Sequence, residues 1–309
     1  MDLIKEKFEA TWTQQKNTPK KHFKLPQPCS IDKSNIQLLR LQTYLVCEKS
    51  DGTRKCLYFT RTADNEPVVY SVDRNMDFVP LIQTGVHHNL FAGTIVDCEL
   101  VDNTFVIFDC VSITGTWVGK HQLNKRIMYG KAVSRLTKLK DYKLATKQFV
   151  LAGDLMELLK VSKAERTDGF VFTPLNKPVS LGTVYDCLKW KPVDKQTVDL
   201  YVQQTVEDGK YSLHASDGEL VNDIAVDKGI LRIALQLAMR SSTKAPLIVE
   251  CKYVKETEHW FPIFVNGSLL LRKDKPTANS NFVIGRTAKA IRDNITPENI
   301  VQLCKNNRY

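Results

Sequence analysis

The chain has 309 residues, 43% of them hydrophobic and 25% charged, enough for two globular domains or one large one and with no low-complexity tract. A net charge of +10 suits a polyanionic partner, nucleic acid or nucleotide, as well as a merely basic surface. The eight cysteines form no Cys-x-x-Cys pair and the six histidines show no ligand spacing with them, which argues against a zinc site. No apolar run approaches a membrane span, and Met1-Asp2-Leu3-Ile4-Lys5-Glu6 is unlike a secretory leader. A reducing compartment, cytosol or nucleus, is therefore expected.

Residues 1–20 read as a polar helix or arm rich in Lys and Gln. Leu25–Ile31 reads as extended, and Ser30 or Asp32 can cap a short helix through Asn35–Leu39. The apolar run Tyr44-Leu45-Val46-Cys47 then delivers Glu48 and Lys49 to a charged turn, Ser50-Asp51-Gly52-Thr53-Arg54. The spacing Lys-x-Asp-Gly-x-Arg suits a lysine that loses its proton at a strand end and attacks phosphorus. A charged turn after a strand is also common for no chemical reason.

Strands follow at Cys56–Phe59, Val68–Val72, Thr94–Val101 and Thr104–Asp109, with a tight hairpin turn at Asp102-Asn103. Asp97 and Glu99 lie two residues apart and so share one face of their strand. That face is either solvated or a place where Glu99 accepts ribose hydroxyls or holds a hard cation. Phe108-Asp109 closes an apolar strand, and the ring serves either the core or a flat base.

Helical periods occupy residues 121–164, around Leu123, Ile127, Val133 and Leu136 and again around Leu155–Leu159. Strands return at Gly169–Phe172, after the turn-like Asp168, and at Asp186–Trp190. Lys189 and Lys191 share a face of that last strand, where an anion between them would relieve the cost of two buried lysines. Pro192–Gln196 is a plausible hinge. Short β segments follow at Val198–Gln203, Leu220–Val221 and Leu247–Val254, then the turn pair Asn266-Gly267 and the charged cluster Arg272-Lys273-Asp274-Lys275. A helical tail spans roughly 283–305, with Thr296-Pro297-Glu298 opening its last helix.

In this order, these segments resemble the covalent nucleotidyltransferases, the superfamily of messenger-RNA capping guanylyltransferases and ATP-dependent ligases. The capping branch is the closer match. Gln27-Pro28-Cys29-Ser30-Ile31 with Asn35-Ile36 is similar to its lead-in segment, and Val72-Asp73-Arg74 to its Asp-Arg turn. Leu188-Lys189-Trp190-Lys191-Pro192 followed by Thr197-Val198-Asp199 is similar to its lysine strand, and Arg272-x-Asp274-Lys275 with Asn279 to its closing motif. Cys98 stands where that family usually has glycine, and Leu270 where its closing motif usually has a first arginine.

The resemblance implies an α+β protein. A nucleotidyltransferase (ATP-grasp-like) domain of antiparallel sheets with helices over residues 1–196 would precede an OB-fold barrel with a C-terminal helix over 197–309. It implies an mRNA guanylyltransferase that passes GMP from GTP, through a lysyl-N–GMP on Lys49, to the 5′-diphosphate end of RNA. An ATP-dependent RNA or DNA ligase of the same superfamily is the alternative. Lys49, Arg54, Lys189, Lys191, Arg272, Asp274 and Lys275 would be catalytic. Glu48, Lys49, Arg54, Arg74, Glu99, Phe108, Val171, Lys189 and Lys191 would hold the nucleotide, and Asp168 with Glu99 would hold Mg²⁺ or Mn²⁺. Closure of the second domain would bring in the last motif. Expected partners are GTP, the RNA end, an RNA triphosphatase supplied in trans or by another domain, and an RNA polymerase tail. The place of work would be the nucleus, or a cytoplasmic replication site if the protein is viral.

Overall fold

The computed structural model describes residues 2–13, 25–162, 167–225, 230–241, 247–266, 268–272 and 275–305. Two compact units divide it, one of Met1–Trp190 with the C-terminal helix and one of Lys191–Ile295. The boundary thus falls a few residues before the expected 196.

The first unit holds two large sheets. One orders β1 (Gln27–Ser30), β8 (Thr183–Trp190), β7 (Thr167–Pro174) and β2 (Tyr44–Ser50) side by side, with Val150–Leu151 at the edge of β2. The other runs from Lys143–Thr146 through β6 (Thr104–Ile113), β5 (Thr94–Val101), β3 (Thr53–Arg61) and β4 (Pro67–Val72) to Phe78–Leu81, while Thr116–Trp117 also pairs with β6. Most neighbours are antiparallel, as expected. The pairs β1–β8 and Lys143–Thr146 with β6 are parallel.

Alternation along β3, β5 and β6 sorts the second sheet's side chains onto two faces. Leu57, Phe59, Val96, Phe105 and Ile107 pack with Val133 of helix α2 (Leu123–Arg135). Cys56, Tyr58, Tyr70, Ile95 and Val111 pack with Ile4, Phe8 and Trp12 of α1 (Asp2–Thr13). Helix α1 is therefore amphipathic rather than a polar arm. Residues spaced by four line one helix face, and the Phe8 ring meets Tyr58 edge-on at 5.4 Å. The rest of the expected arm, residues 14–20, lies outside the described residues.

The expected helical tail is two helices, α5 (Asn281–Asp293) and α6 (Pro297–Lys305), separated where Asn294 takes the left-handed conformation at φ 46°. Helix α6 was expected with the second domain. It packs instead on Ile36–Arg40 and on α3 (Leu155–Val161), and buries Ile300, Val301 and Cys304.

The second unit is a five-stranded antiparallel barrel in the order β11 (Leu220–Ala225), β10 (Lys210–His214), β9 (Thr197–Gln204), β12 (Leu247–Val254) and β13 (His259–Pro262). Helix α4 (Ile230–Ser241) lies between β11 and β12 in sequence. Asn222 of β11 nearly closes the barrel. Its side chain accepts from the Trp260 amide at 2.9 Å and donates to the Trp260 carbonyl at 3.1 Å. This connectivity and near-closure are those of an OB-fold.

Candidate active site

Strand β2 carries Lys49 to its end, and the Asp51-Gly52 turn swings the chain into β3. A side chain at Gly52 would place its Cβ 2.5 Å from the Leu100 carbonyl oxygen, so the turn needs glycine for close approach. Beside Lys49 the register with β7 slips. Thr167 faces Ser50 and Phe170 faces Glu48, which leaves Asp168 and Gly169 together opposite Lys49. Gly169 supplies the left-handed backbone, φ 125°, that such a bulge calls for. Asp168 is therefore part of a strand bulge rather than of a turn before one. The bulge aims its carboxylate at the lysine, and Lys49 Nζ donates to Asp168 Oδ2 at 2.7 Å.

Strands β2, β7 and β8 lie side by side, with Cys47, Val171 and Lys189 in register across them. Those three residues and Lys49 line one wall of a cavity of about 330 Å³, a volume within the range of small-molecule sites. The second sheet supplies the facing wall through Arg54, Asp97, Glu99, Phe108 and Asp109. A second bulge makes this possible. Asp97 pairs with Asp109 but Cys98 with Ile107, so Phe108 is the extra residue. It lets Phe108 and Asp109 both reach the cavity while Ile107 and Cys110 stay in the core. Phe108-Asp109 thus lies inside β6, not at its end.

Arg54 is clamped rather than free for a ligand's hydroxyls. Its Nε donates to Asp97 Oδ1 at 3.0 Å, its Nη2 to Asp97 Oδ2, and its Nη1 to the Pro26 carbonyl. Burial is the largest single influence and works against the guanidinium, but the Asp97 charge and hydrogen bonds, with smaller help from neighbouring groups, together outweigh it, so the net shift is upward and Arg54 stays cationic. Arg54 lies 5.5 Å from the centroid of the Phe108 ring and Lys147 Nζ lies 5.1 Å from it, so two cations flank that aromatic. Lys147 also donates to the Glu48 carbonyl at 3.0 Å. That backbone contact is what Glu48 brings to the site, because its side chain is not among those lining the cavity.

Cys98, where the capping branch usually has glycine, points into the opposite core and is fully buried there. It takes no room from the cavity. Two other thiols do line the cavity, Cys47 and Cys187. Burial raises Cys47 to about 11 and Cys187 to about 12, so neither offers a thiolate to compete with the lysine at neutral pH.

Burial also raises the Glu99 carboxyl above its ordinary value, against the pull of Lys147, Lys49 and Arg54. A carboxyl raised on folding binds its proton more readily in the folded chain. Stability therefore falls as pH climbs from the unfolded to the folded value, and the whole penalty is present above both. Glu99→Gln is expected to raise the melting temperature at pH 7, with the gain disappearing as pH falls below the ordinary carboxylate range. Nucleotide labelling should drop about tenfold as a charged hydrogen-bond acceptor is lost. Thermal scans at the two pH values with a labelling assay check both halves; a lower melting temperature at pH 7 would contradict the first.

The structure brings together Lys49, Arg54, Glu99, Phe108, Asp168, Val171 and Lys189, with Glu48 contributing its backbone. Arg74 is exposed on the turn after β4 and is not among the residues lining the cavity. Lys191 follows the end of β8 and opens the second unit. Within that unit Arg272 Nη1 donates to Asp199 Oδ1 at 3.0 Å, and Lys275 donates to Asp199 Oδ2. Asn279 bonds the Asp199 backbone at 2.7 Å, so the Thr197-Val198-Asp199 segment and the closing motif form one cluster. Asp274 lies outside the described residues.

Sequence reasoning missed Lys147, Asp109, the clamping role of Asp97, and Arg126 behind Asp109. Lys147 did carry a signal, since it directly follows a short strand, Lys143–Thr146.

Glu99 and Asp168 offer two hard oxygen donors, while among the described residues no three metal-binding side chains gather.

Residues 4–193 match the family model described as mRNA capping enzyme, catalytic domain. The chain is 26% identical to an mRNA-capping enzyme subunit alpha of Schizosaccharomyces pombe, over 89% of this chain and 78% of that protein. It is 31% identical to the protein of that name from Yarrowia lipolytica, over 59% of this chain and 54% of that one. To an mRNA-capping enzyme of Danio rerio it is 24% identical, over 89% of this chain and 48% of that one. It thus spans about half the length of the latter two. Among solved structures it is similar to a mycobacterial DNA ligase D complexed with ATP and MES, at 12% identity and a TM-score of 0.45, covering 82% of this chain and 96% of that one. With the family model covering more than half of the chain and the nucleophile candidate seated in the cavity, the chain belongs to the mRNA capping enzyme catalytic-domain family, the guanylyltransferases.

Proposed function

We propose that the cavity binds GTP and that Lys49 carries its guanylate to the 5′-diphosphate end of an RNA. The observation behind this reading is the Lys49 amine, held 2.7 Å from Asp168 in a cavity that also contains Arg54, Glu99, Phe108, Lys147 and Lys189. The neutral amine attacks the α-phosphorus, an N–P bond forms, the bond to pyrophosphate breaks, and the amine gives up a proton. A terminal phosphate oxygen of the RNA then attacks the same phosphorus, the N–P bond breaks, and the amine regains its proton.

Lys189 and Lys147 bring positive charge to the cavity, where it would offset the negative charge that builds on phosphate. A divalent ion held by Asp168 and Glu99 would neutralise part of the same charge. Phe108 offers a flat face for the base, with Val171 on the other wall, and Glu99 offers an acceptor for ribose hydroxyls. By the resemblance, Lys191 would join Lys189 in offsetting charge on the phosphoryl group, and Arg272, Asp274 and Lys275 would orient the leaving pyrophosphate once closure of the second domain brings them in. The role of Arg74 rests on the resemblance alone.

The substrate RNA needs a triphosphatase acting before this step, which a partner chain or another domain would provide. Nuclear work beside an RNA polymerase tail follows from the same reading.

Incubation with α-labelled GTP and a divalent cation should leave acid-labile label on the protein, and 5′-diphosphate RNA should then remove it. Labelling by ATP in place of GTP, with transfer to a 5′-monophosphate end, would replace this reading with a ligase.

A further inference from the structure

Between Asp109 and Asp141 the chain has seven Lys and Arg residues and not one Asp or Glu. Arg126 is buried; Lys120, Lys125, Lys131, Arg135, Lys138 and Lys140 are all exposed. Among the described residues none of these six makes an ion pair, so their charges are not neutralised by the protein itself. His121 also stands among them. Burial, then Lys125, Lys120 and Arg126, push its imidazole below the ordinary value.

Helix geometry orders this charge. Leu123, at the start of α2, lines the cavity. Lys125, Lys131 and Arg135 lie on the outward face of the helix, exposed in turn along its length, and the helix carries Arg135 about 18 Å along its axis from Leu123 at about 1.5 Å per residue. Lys138 and Lys140 continue the run. The positive face therefore begins within a turn of the cavity and leads away from it.

We propose that the outward face of α2, with Lys138 and Lys140 after it, is the track for the body of the acceptor RNA. Its lysines and arginine hold successive phosphates without reading bases. Continuity with the cavity favours RNA over an acidic peptide, because the 5′ end of the RNA must react where α2 begins. The track rests on the reading of the cavity given above.

The test compares the enzyme with K125Q/K131Q/R135Q, and with the K125R/K131R variant that keeps the charge. Formation of the covalent guanylate needs no RNA and should be unchanged in both. Transfer to a diphosphate-ended RNA of a few nucleotides should also be unchanged. For an RNA of several tens of nucleotides the glutamine variant should show KM raised about tenfold. The slope of log affinity against log salt should become shallower by about 2, at about 0.7 for each phosphate the variant no longer neutralises. The charge-keeping variant should behave as the parent. An unaltered KM and slope for long RNA would overturn the track. Loss of binding to an acidic phosphorylated peptide with RNA transfer intact would assign the face to a protein partner and overturn it too. A parent enzyme that takes no guanylate at all would instead sink the reading of the cavity.

Discussion

Arg126→Leu is expected to destabilise the first unit by about 3 kcal/mol, the low end for stranding one member of a buried ion pair. The Arg126 side chain is 2% exposed and binds Asp109 through two bonds, at 2.7 and 3.0 Å. Its remaining donor, Nη1, serves the carbonyls of His121 at 2.6 Å and Lys177 at 2.9 Å. Removing it leaves Asp109 without its ion-pair partner and two carbonyls without that donor. Asp109 keeps 18% exposure, so water recovers part of the loss, which is why the low end is chosen. For a unit of this size the melting temperature should fall by about 6–12 °C. Because Asp109 lines the cavity beside Phe108, GTP binding should weaken as well. Arg126→Leu with Asp109→Leu should regain much of the stability, since no charge is then stranded. Denaturant midpoints of the single and double variants decide this. A single-variant cost within about 0.5 kcal/mol, ordinary for a surface site, would mean that the pair is not buried as described.

Lys49→Arg should bring covalent labelling by GTP down to background. A guanidinium keeps the charge and can keep an ion pair with Asp168, so folding and non-covalent nucleotide binding should survive. It does not deprotonate in a protein and so offers no amine to attack phosphorus. The arginine variant therefore separates the nucleophile from the structural partner of Asp168, which an alanine variant does not. Retained labelling in Lys49→Arg would move the covalent bond to another residue.

Much of the site was legible because its signals are local. The apolar run before Lys49 and the Asp-Gly turn after it fix a strand and a hairpin within ten residues. The two-residue spacing of Asp97 and Glu99 puts both on one face. What could not be read were the two register slips. A bulge is set by how one strand meets another, so nothing near Phe108 says that its ring and the Asp109 carboxylate turn to the same side. Nor does anything near Asp168 say that it lies opposite Lys49. Arg126 and Lys147 escaped for a related reason. In sequence a lysine or arginine among polar neighbours reads as solvated, and only the fold shows Asp109 waiting for the one and the Glu48 carbonyl for the other. The Asp97 clamp on Arg54 likewise needs the β3–β5 pairing before it can be seen. Helix α1 is a different case: Ile4, Phe8 and Trp12 recur every four residues in plain sight, hidden only by the lysines between them.

The central claim is that the amine of Lys49 becomes the temporary carrier of a guanylate. Mass spectrometry of the protein mixed with GTP and a divalent cation tests it most directly. The account predicts a species heavier by one guanylate, and fragmentation placing that mass on the peptide that contains Lys49. A folded protein that gains no such mass with either Mg²⁺ or Mn²⁺, or that gains it on Lys147 or Lys189, would contradict it.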